Sequence, residues 1–520
     1  MSNKIKIFDS TLRDGAQGEG ISFSVNDKLK IVAALDNLGI TYIEAGNPGS
    51  NVKDLEFFKK VKAIKLKNSK IVAFGSTRRK NISAREDPNL DSLIDANTPA
   101  IAIFGKSWDF HVSNIIKTSL EENLRMIYDT ILYLKEKGKE VIFDAEHFFD
   151  GYRANSEYAL NALKAAVDGG ADAIVLCDTN GGTFPNEVYE ITKKVSSIFN
   201  IEIGIHCHND CGMAVANSIM AVNAGATHIQ GTYIGFGERC GNANLSSIIP
   251  NLQLKMNLNC IPKEQIENLT SSARYIAEIS NLKLSHGMPY VGRGAFAHKG
   301  GMHIDGVSKA SSSFEHISPE VVGNKRRFLM SEVSGKSTLL PLIKKVDRTI
   351  SKNSPQAQRI IDKLKELEHM GYQYESAEAS FELVIRRFLG KYISPFKIDY
   401  FKTIGEHSTI SHDFTASSII KVIVGDREEI TAEQGNGPVN ALNKSLKKAL
   451  EIFYPQLKEV HLTDYKVRVL DAENATSAKV RVLIESTDGQ DSWTTVGVST
   501  DIIEASLIAL RDSIEYKLIG

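Results

Sequence analysis

An eightfold alternation of two segment types dominates the first 239 residues of the chain. Short runs rich in Ile, Val and Phe alternate there with amphipathic segments, and each type occurs eight times. Eight βα units within about 250 residues are typical of a closed (β/α)8 barrel, or TIM barrel, of the α/β class. A doubly wound open sheet is the main alternative fold. The predicted strands are residues 4–10, 42–47, 70–77, 100–106, 140–147, 173–179, 202–208 and 228–234.

Amphipathic helices are predicted in the intervals between these strands. Residues 26–39 carry apolar side chains at helical spacing, and Ser24 with Asp27 forms a capping-box pattern before them. Gly39 is predicted to end this helix. Similar patterns predict helices at residues 120–138, 156–170, 186–199 and 213–225.

The rest of the chain divides into two further regions. Residues from about 250 to 375 lose the βα alternation and are predicted to form mostly helical linker subdomains. The remaining residues return to strands and contain two similar halves, which indicates a duplicated ββα-type unit. We therefore predict a barrel at residues 1–265, linker subdomains at 266–375 and an α+β domain at 376–520.

Composition and charge narrow the class of protein. Hydrophobic residues make up 42% and charged residues 24% of the chain, as in ordinary globular proteins. The formal net charge of -1 supplies no field that would gather nucleic acid or an anionic membrane. The five cysteines are odd in number, form no C-x-x-C pair and predict no disulfide framework. With no signal-peptide pattern and no long apolar run, a reducing cytoplasm is the expected location.

Polar residues cluster where the predicted strands end, which is where a (β/α)8 barrel has its active site. The clearest pattern is His206-Cys207-His208, because alternation along a strand points both imidazoles to one face. Two histidines on a strand are by themselves more often packing residues, but a place on the barrel rim favours ligation. Together with the carboxylate of Asp14 and the amide of Asn242, they form a mixed set suited to Mg²⁺, Mn²⁺ or Zn²⁺.

Two other patterns have plainer interpretations. Arg78, Arg79 and Lys80 follow the third strand and could hold the phosphates of a nucleotide-like cofactor, but a solvated charge run is the preferred interpretation. Cys240 could be reactive, although a lone cysteine without an activating partner is more often a small packing residue.

Several motifs together resemble the 2-isopropylmalate, homocitrate and citramalate synthase family. They are Thr11-Leu12-Arg13-Asp14-Gly15-Ala16-Gln17, the His206-x-His208 pair, Gly237-Glu238-Arg239-x-Gly241-Asn242-Ala243 and Gly294-Ala295-Phe296-Ala297-His298-Lys299-Gly300-Gly301-Met302-His303. The resemblance spans nearly the whole chain. Within the family, the segments 17–24 and 143–152 look like the citramalate synthase branch.

The resemblance implies a function and a set of roles. The family condenses acetyl-CoA with a 2-oxo acid, here pyruvate; 2-isopropylmalate or homocitrate synthesis and a hydroxymethylglutaryl-CoA-type lyase are the alternatives. Asp14, His206, His208 and Asn242 match the family's metal ligands. Arg13, Asp14 and Thr179 match positions that bind the 2-oxo acid, and Arg13, Glu146 and His303 match catalytic positions, the last two in acid/base roles.

The same resemblance implies an assembly and its control. In relatives, the segment that contains His303 reaches over the barrel of a neighbouring subunit, so a homodimer is expected. The C-terminal repeat resembles a regulatory domain that binds a branched-chain amino acid. For threonine-independent isoleucine synthesis through citramalate, isoleucine is the expected inhibitor.

Overall fold

A computed structural model describes residues 4–50, 52–329, 340, 343–344, 346–351, 354–407, 414–470 and 477–519. The chain divides into two compact units. The first comprises residues 1–296 with 319–325, and the second comprises residues 297–318 with 326–520. Within the described ranges, no helix is both long enough and apolar enough to cross a membrane.

Eight parallel strands close into a barrel in the order β1 to β8, with β1 paired to β8. The closed barrel is therefore confirmed, and the open sheet is wrong. Each observed strand lies within a predicted one, and most end one to three residues earlier because the predicted ends are polar loop residues. The strands are Lys6–Asp9, Tyr42–Glu44, Lys70–Ser76, Ala100–Lys106, Glu140–Glu146, Ala173–Asp178, Glu202–Cys207 and His228–Gly231.

Helices surround the barrel as their apolar spacing predicts. The first one, Val25–Leu38, begins at the capping box of Ser24 and Asp27 and ends at Gly39, whose φ of 92° favours glycine. The helices of this unit are Val25–Leu38, Val52–Val61, Pro88–Asp95, Asp109–Asn114, Leu120–Glu136, Phe148–Ala154, Ser156–Asp168, Pro185–Ile198, Ala214–Asn223, Leu245–Pro250 and Leu269–Ile279.

The barrel interior is a packed core below a polar rim. Buried side chains from strands β1 to β6 fill it, among them Phe8, Tyr42, Val72, Ile142 and Val175. Because this layer excludes water from the barrel axis, polar side chains at the carboxyl ends of the strands lie on a rigid floor.

The second unit begins with small elements and continues with two sheets. A parallel pair, Ala297–His298 and Arg327–Phe328, is accompanied by the helices Gly301–Lys309, Pro355–His369 and Glu378–Phe388. The antiparallel sheets are Lys397–His407, Phe414–Val424, Arg427–Gly435 and then His461–Val469, Val480–Thr487, Ser492–Ser499.

Each sheet is followed by one helix, Pro438–Glu451 after the first and Ile502–Ile519 after the second. The predicted duplication is thus confirmed, and the repeated unit is βββα rather than ββα. The described residues of both halves share one apolar core, with Ile420, Leu446, Val482 and Leu510 among its members. The proposed domain boundaries after residues 265 and 375 stay predictions.

Candidate metal centre and active site

Asp14, His206 and His208 meet at the barrel rim, where one ligand atom from each lies within 4.8 Å of the others. Asp14 Oδ2 is 3.3 Å from His206 Nε2 and 3.8 Å from His208 Nε2. Asn242 joins them, since its Nδ2 lies 3.1 Å from Asp14 Oδ2 and 3.5 Å from His206 Nε2. All four side chains are buried. The structure thus brings together the four residues that the sequence predicts as metal ligands.

Local structure explains how these side chains converge. His206 lies on β7 and His208 follows it with the same facing, while Asp14 follows β1, the strand that pairs with β8. Asn242 returns from the loop after β8 through a bridge to His208. A Cβ at Gly237 would overlap Asn242 Oδ1, so glycine there leaves room for the amide.

Charge favours an anionic Asp14 beside a neutral imidazole. Burial opposes ionisation, but the charge of Arg13 and the hydrogen bond with His206 outweigh it and hold the pKa of Asp14 well below its usual range. Burial and the neighbouring His206 lower the pKa of His208 to about 4, so this imidazole is neutral at pH 7. A carboxylate and a neutral imidazole are both in the state that binds a metal.

A buried polar atom without a hydrogen-bond partner also indicates that this cluster can bind a divalent cation. Asn242 Oδ1 is buried and has no hydrogen-bond partner among the described residues. A side-chain amide can turn either end toward a neighbour, so Asn242 can offer oxygen to an ion held by the other three. Asp14, His206, His208 and Asn242 therefore form a donor set that suits Mg²⁺, Mn²⁺ or Zn²⁺.

Arg13 is fixed beside this cluster by three contacts. Its Nε donates to Glu44 Oε2 at 2.6 Å, and its Nη1 lies 3.5 Å from Asp14 Oδ2. The guanidinium carbon also lies 3.8 Å from the ring centroid of Phe74. The guanidinium is thus held in one plane at the cavity, where its remaining N–H groups can face a bound anion.

A cavity of about 300 Å³ connects these groups to the other predicted site residues. Glu146 and Thr179 line it, so the structure brings both to the metal cluster. Its lining consists of Arg13, Asp14, Gln17, Phe74, Phe104, Asp144, Glu146, Cys177, Thr179, His206, His208 and Glu238.

Two contacts position Glu146 and Thr179. Lys106 Nζ donates a hydrogen bond to Glu146 Oε2. The backbone N–H of His147 donates to Thr179 Oγ1 at 2.9 Å, in a turn where His147 has a φ of 56°. Because its oxygen already accepts this bond, the Thr179 hydroxyl keeps its hydrogen to donate into the cavity.

His303 belongs to the second unit and is exposed at the start of the helix Gly301–Lys309. Its imidazole stacks on Phe314, with ring centroids 4.2 Å apart and an angle of 21° between the planes. An exposed, oriented imidazole is available to another molecule, and its predicted acid/base role remains a prediction.

The structure assigns a structural role to Arg78, one of the basic residues after the third strand. Arg78 is buried and pairs with Glu122 and Asp129, so it is a structural ion pair and not a phosphate ligand. The barrel also brings Lys106, Asp144 and Gln230 to the site, and the sequence motifs predict no role for these three residues. Their positions are a signal in the sequence, because all three lie at or near the carboxyl ends of β4, β5 and β8.

Models of three protein families match the chain in succession. The model described as HMGL-like matches residues 4–274, and the homocitrate synthase post-HMGL domain-like model matches residues 290–371. The LeuA allosteric (dimerisation) domain model matches residues 375–518. Together they cover both units.

Similar proteins share this arrangement over their full length. The chain is 55% identical over 519 residues to the (R)-citramalate synthase of Aquifex aeolicus, covering 100% of this chain and 98% of the relative. It is 51% identical to the (R)-citramalate synthase of Geobacter sulfurreducens, covering 99% and 97%. The 2-isopropylmalate synthase of Methanocaldococcus jannaschii is more distant, at 31% identity with 99% and 95% covered.

Proposed function

Since the chain belongs to the HMGL-like family, and within it to the family of its full-length (R)-citramalate synthase relatives, we propose that it condenses acetyl-CoA with pyruvate. Water then releases CoA and leaves (R)-citramalate. The enzyme is an acyltransferase that converts the acyl group to an alkyl group on transfer. The observation that carries this proposal is the 55% identity to a citramalate synthase over the full length of the chain.

The metal cluster supports binding of a 2-oxo acid. Asp14, His206, His208 and Asn242 would hold a divalent cation, which supplies Lewis-acid polarisation of the ketone. Arg13 lies against Asp14 and faces the same cavity, so its guanidinium can stabilise the alkoxide that forms at C2 of pyruvate. The Thr179 hydroxyl can donate to the pyruvate carboxylate.

Glu146 is the proposed base for the acetyl-CoA methyl group. The methyl carbon loses a proton to the carboxylate, and the resulting carbanion equivalent forms a bond to C2 of pyruvate. The π electrons of the C2 carbonyl move to its oxygen, and this alkoxide then takes a proton to become the hydroxyl of citramalate. Lys106 holds this carboxylate by a hydrogen bond, and both groups are partly buried. Water then cleaves the thioester, and the thiol of CoA leaves with a proton. His303 is the proposed second acid/base group, supplied by the other subunit of a homodimer.

The cavity wall supports pyruvate over larger 2-oxo acids. Phe74 and Phe104 stack with centroids 5.2 Å apart and an angle of 19° between their planes. Both rings line the cavity that contains the metal cluster. Such a wall would favour a methyl group over a branched chain, since each methylene is worth about 1 to 3 kcal/mol in such a pocket.

Regulation and location complete the proposal. The LeuA allosteric (dimerisation) domain match supports a homodimer inhibited by isoleucine, the end product of a route through citramalate that bypasses threonine. All five cysteines are free, and two of them are exposed, which supports a reducing cytoplasm.

A single assay tests the substrate. Purified protein is mixed with acetyl-CoA, Mg²⁺ or Mn²⁺ and either pyruvate or 2-oxoisovalerate; free CoA is followed with a thiol reagent, and products are identified by chiral chromatography. We expect CoA release with pyruvate and (R)-citramalate as product. A preference for 2-oxoisovalerate would contradict the proposed substrate, and release with neither acid would contradict the synthase.

A further inference from the structure

Gln230 connects one metal-ligand histidine to a carboxyl group on the other side of the barrel. His206 Nδ1 lies 3.0 Å from Gln230 Oε1, and Gln230 Nε2 donates to Asp144 Oδ1 at 2.8 Å. Gln230 is fully buried on β8, and Asp144 is buried on β5. A polar chain of three buried groups therefore crosses the barrel beneath the metal cluster.

The polarity of this chain is fixed at its far end. Gln230 Nε2 donates to Asp144 Oδ1, and this orientation of the amide turns its oxygen toward His206. An amide oxygen can only accept, so the proton of a neutral His206 must lie on Nδ1. The lone pair of Nε2 is then directed toward Asp14 and Asn242.

The neighbouring imidazole provides an internal comparison. His208 Nδ1 is also buried, but it has no hydrogen-bond partner among the described residues. Of the two histidines, His206 is therefore the one whose tautomer and ring orientation the protein sets by a side-chain hydrogen bond. Such outer partners typically change metal affinity by about 10- to 100-fold when they are lost.

We infer that Gln230, oriented by Asp144, is a positioning residue that fixes the tautomer of His206 and aims the lone pair of its Nε2 at a divalent cation. The inference rests on the proposed function, because it deepens the role of the same metal site. Gln230 itself contacts neither the ion nor the substrate in this assignment. It acts through His206.

The test is a Co²⁺ titration of the metal-free full-length protein, followed by its visible absorption. Gln230→Met removes the acceptor at similar size, whereas Gln230→Glu keeps an oxygen for His206 Nδ1. The matched control is Gln253→Met, because Gln253 Oε1 accepts only backbone N–H groups of Cys260 and Ile261, in a turn beyond the barrel strands. Thermal unfolding of each metal-free variant reports its packing.

We expect Gln230→Met to weaken Co²⁺ binding about 10- to 100-fold, Gln230→Glu to recover part of that loss and Gln253→Met to bind as the wild type does. Equal Co²⁺ affinity in Gln230→Met and the wild type would overturn the inference and leave the metal site intact. Equal losses in Gln230→Met and Gln253→Met would overturn it as well, since general packing would explain both. A wild-type protein that forms no Co²⁺ complex would refute the proposed metal site itself.

Discussion

Lys106 and Glu146 form a hydrogen-bonded ion pair across two neighbouring barrel strands, at the edge of the cavity that contains the metal cluster. The pair restricts the carboxylate of Glu146 to one orientation. A base must be correctly placed before it can remove a proton, so the contact has a kinetic consequence.

Loss of the Lys106 ammonium should slow proton removal without abolishing it. We expect Lys106→Met to lower kcat by about tenfold, and Glu146→Gln to lower it by about 10²- to 10⁴-fold, the range for removal of a general base. Exchange of the acetyl-CoA methyl protons with deuterated solvent, followed by NMR, measures this step directly. Faster exchange in Lys106→Met than in the wild type would contradict the positioning role.

Removal of a metal ligand should eliminate turnover and leave the barrel folded. Asp14→Ala and His206→Ala each delete one donor of a buried set, so bound metal measured by mass spectrometry and CoA release should both fall to background. Circular dichroism should remain that of the wild type, because the apolar layer below the cluster is untouched. Full activity in chelator-treated His206→Ala protein would refute the assignment.

The aromatic wall can be tested by enlarging the cavity. Phe104→Ala should reduce the preference for pyruvate over 2-oxoisovalerate, measured as the ratio of kcat/KM values, by about tenfold or more. Phe58→Ala is the control, because Phe58 is buried on the helix Val52–Val61 and does not line the cavity. An unchanged ratio in Phe104→Ala would show that another group selects the substrate.

Asp9 should make barrel stability depend on pH. Burial raises the pKa of Asp9 to about 7, which opposes ionisation more than the hydrogen bonds from Thr11 favour it. Because the folded pKa lies above the unfolded one, the stability from protonated Asp9 is present below about pH 4 and is lost as pH rises through about 7. Asp9→Asn should therefore show a smaller fall in thermal midpoint over this range.

The control for Asp9 has the opposite sign. Asp27 lies in the capping box, where hydrogen bonds from Ser24 lower its pKa, so its contribution is present at higher pH and is lost as the pH falls through its folded pKa. Asp27→Asn should lower the midpoint at neutral pH and keep the wild-type fall between about pH 4 and about pH 7. A wild-type profile in Asp9→Asn would contradict the prediction.

A buried ion cluster should stabilise the second unit. Arg387 donates to Asp512 at 2.7 Å and to Glu515, and both acids are almost fully buried on the last helix. Arg387→Met leaves the two buried carboxylates with Arg511 as their remaining cation, at 3.6 and 4.0 Å, and loss of one partner of a buried pair costs up to about 3 to 5 kcal/mol. Urea unfolding should show this loss for the second unit. Arg386→Met is the control, because Arg386 pairs with Glu382 alone among the described residues, on the same helix, and such a pair is worth less than about 1 kcal/mol.

The same unit limits how regulation can be tested. Helix Pro355–His369 packs with Val496 and, through partly buried contacts, with Leu483 and Val498 of the last sheet. A chain cut after residue 375 would expose this apolar surface. Point variants within the unit are therefore better tests of isoleucine inhibition than truncation.

The sequence predicts most of the barrel because strands buried on both faces are nearly continuous apolar runs, with helices of strong amphipathic spacing between them. The ligands His206 and His208 are predictable since they are two apart on one strand. The roles of Gln230 and Lys106 are not predictable, because they arise from partners on adjacent paired strands, 24 and 40 residues away along the chain. The first strand of each C-terminal repeat, Lys397–His407 and His461–Val469, is hard to predict because its side chains are largely exposed and it lacks the apolar run of a buried strand.

Pairing of β1 with β8 also fixes the order in which this site can be assembled during synthesis. Asp14 emerges from the ribosome long before Asn242, and the two meet only after the last barrel strand has docked against the first. A cation bound between them would stabilise the contact between β1 and β8, where the barrel closes. Metal uptake by a growing chain would therefore report that the barrel has closed. In a circular permutant opened between β1 and β8, the ion would have to bind at a site formed by both chain termini.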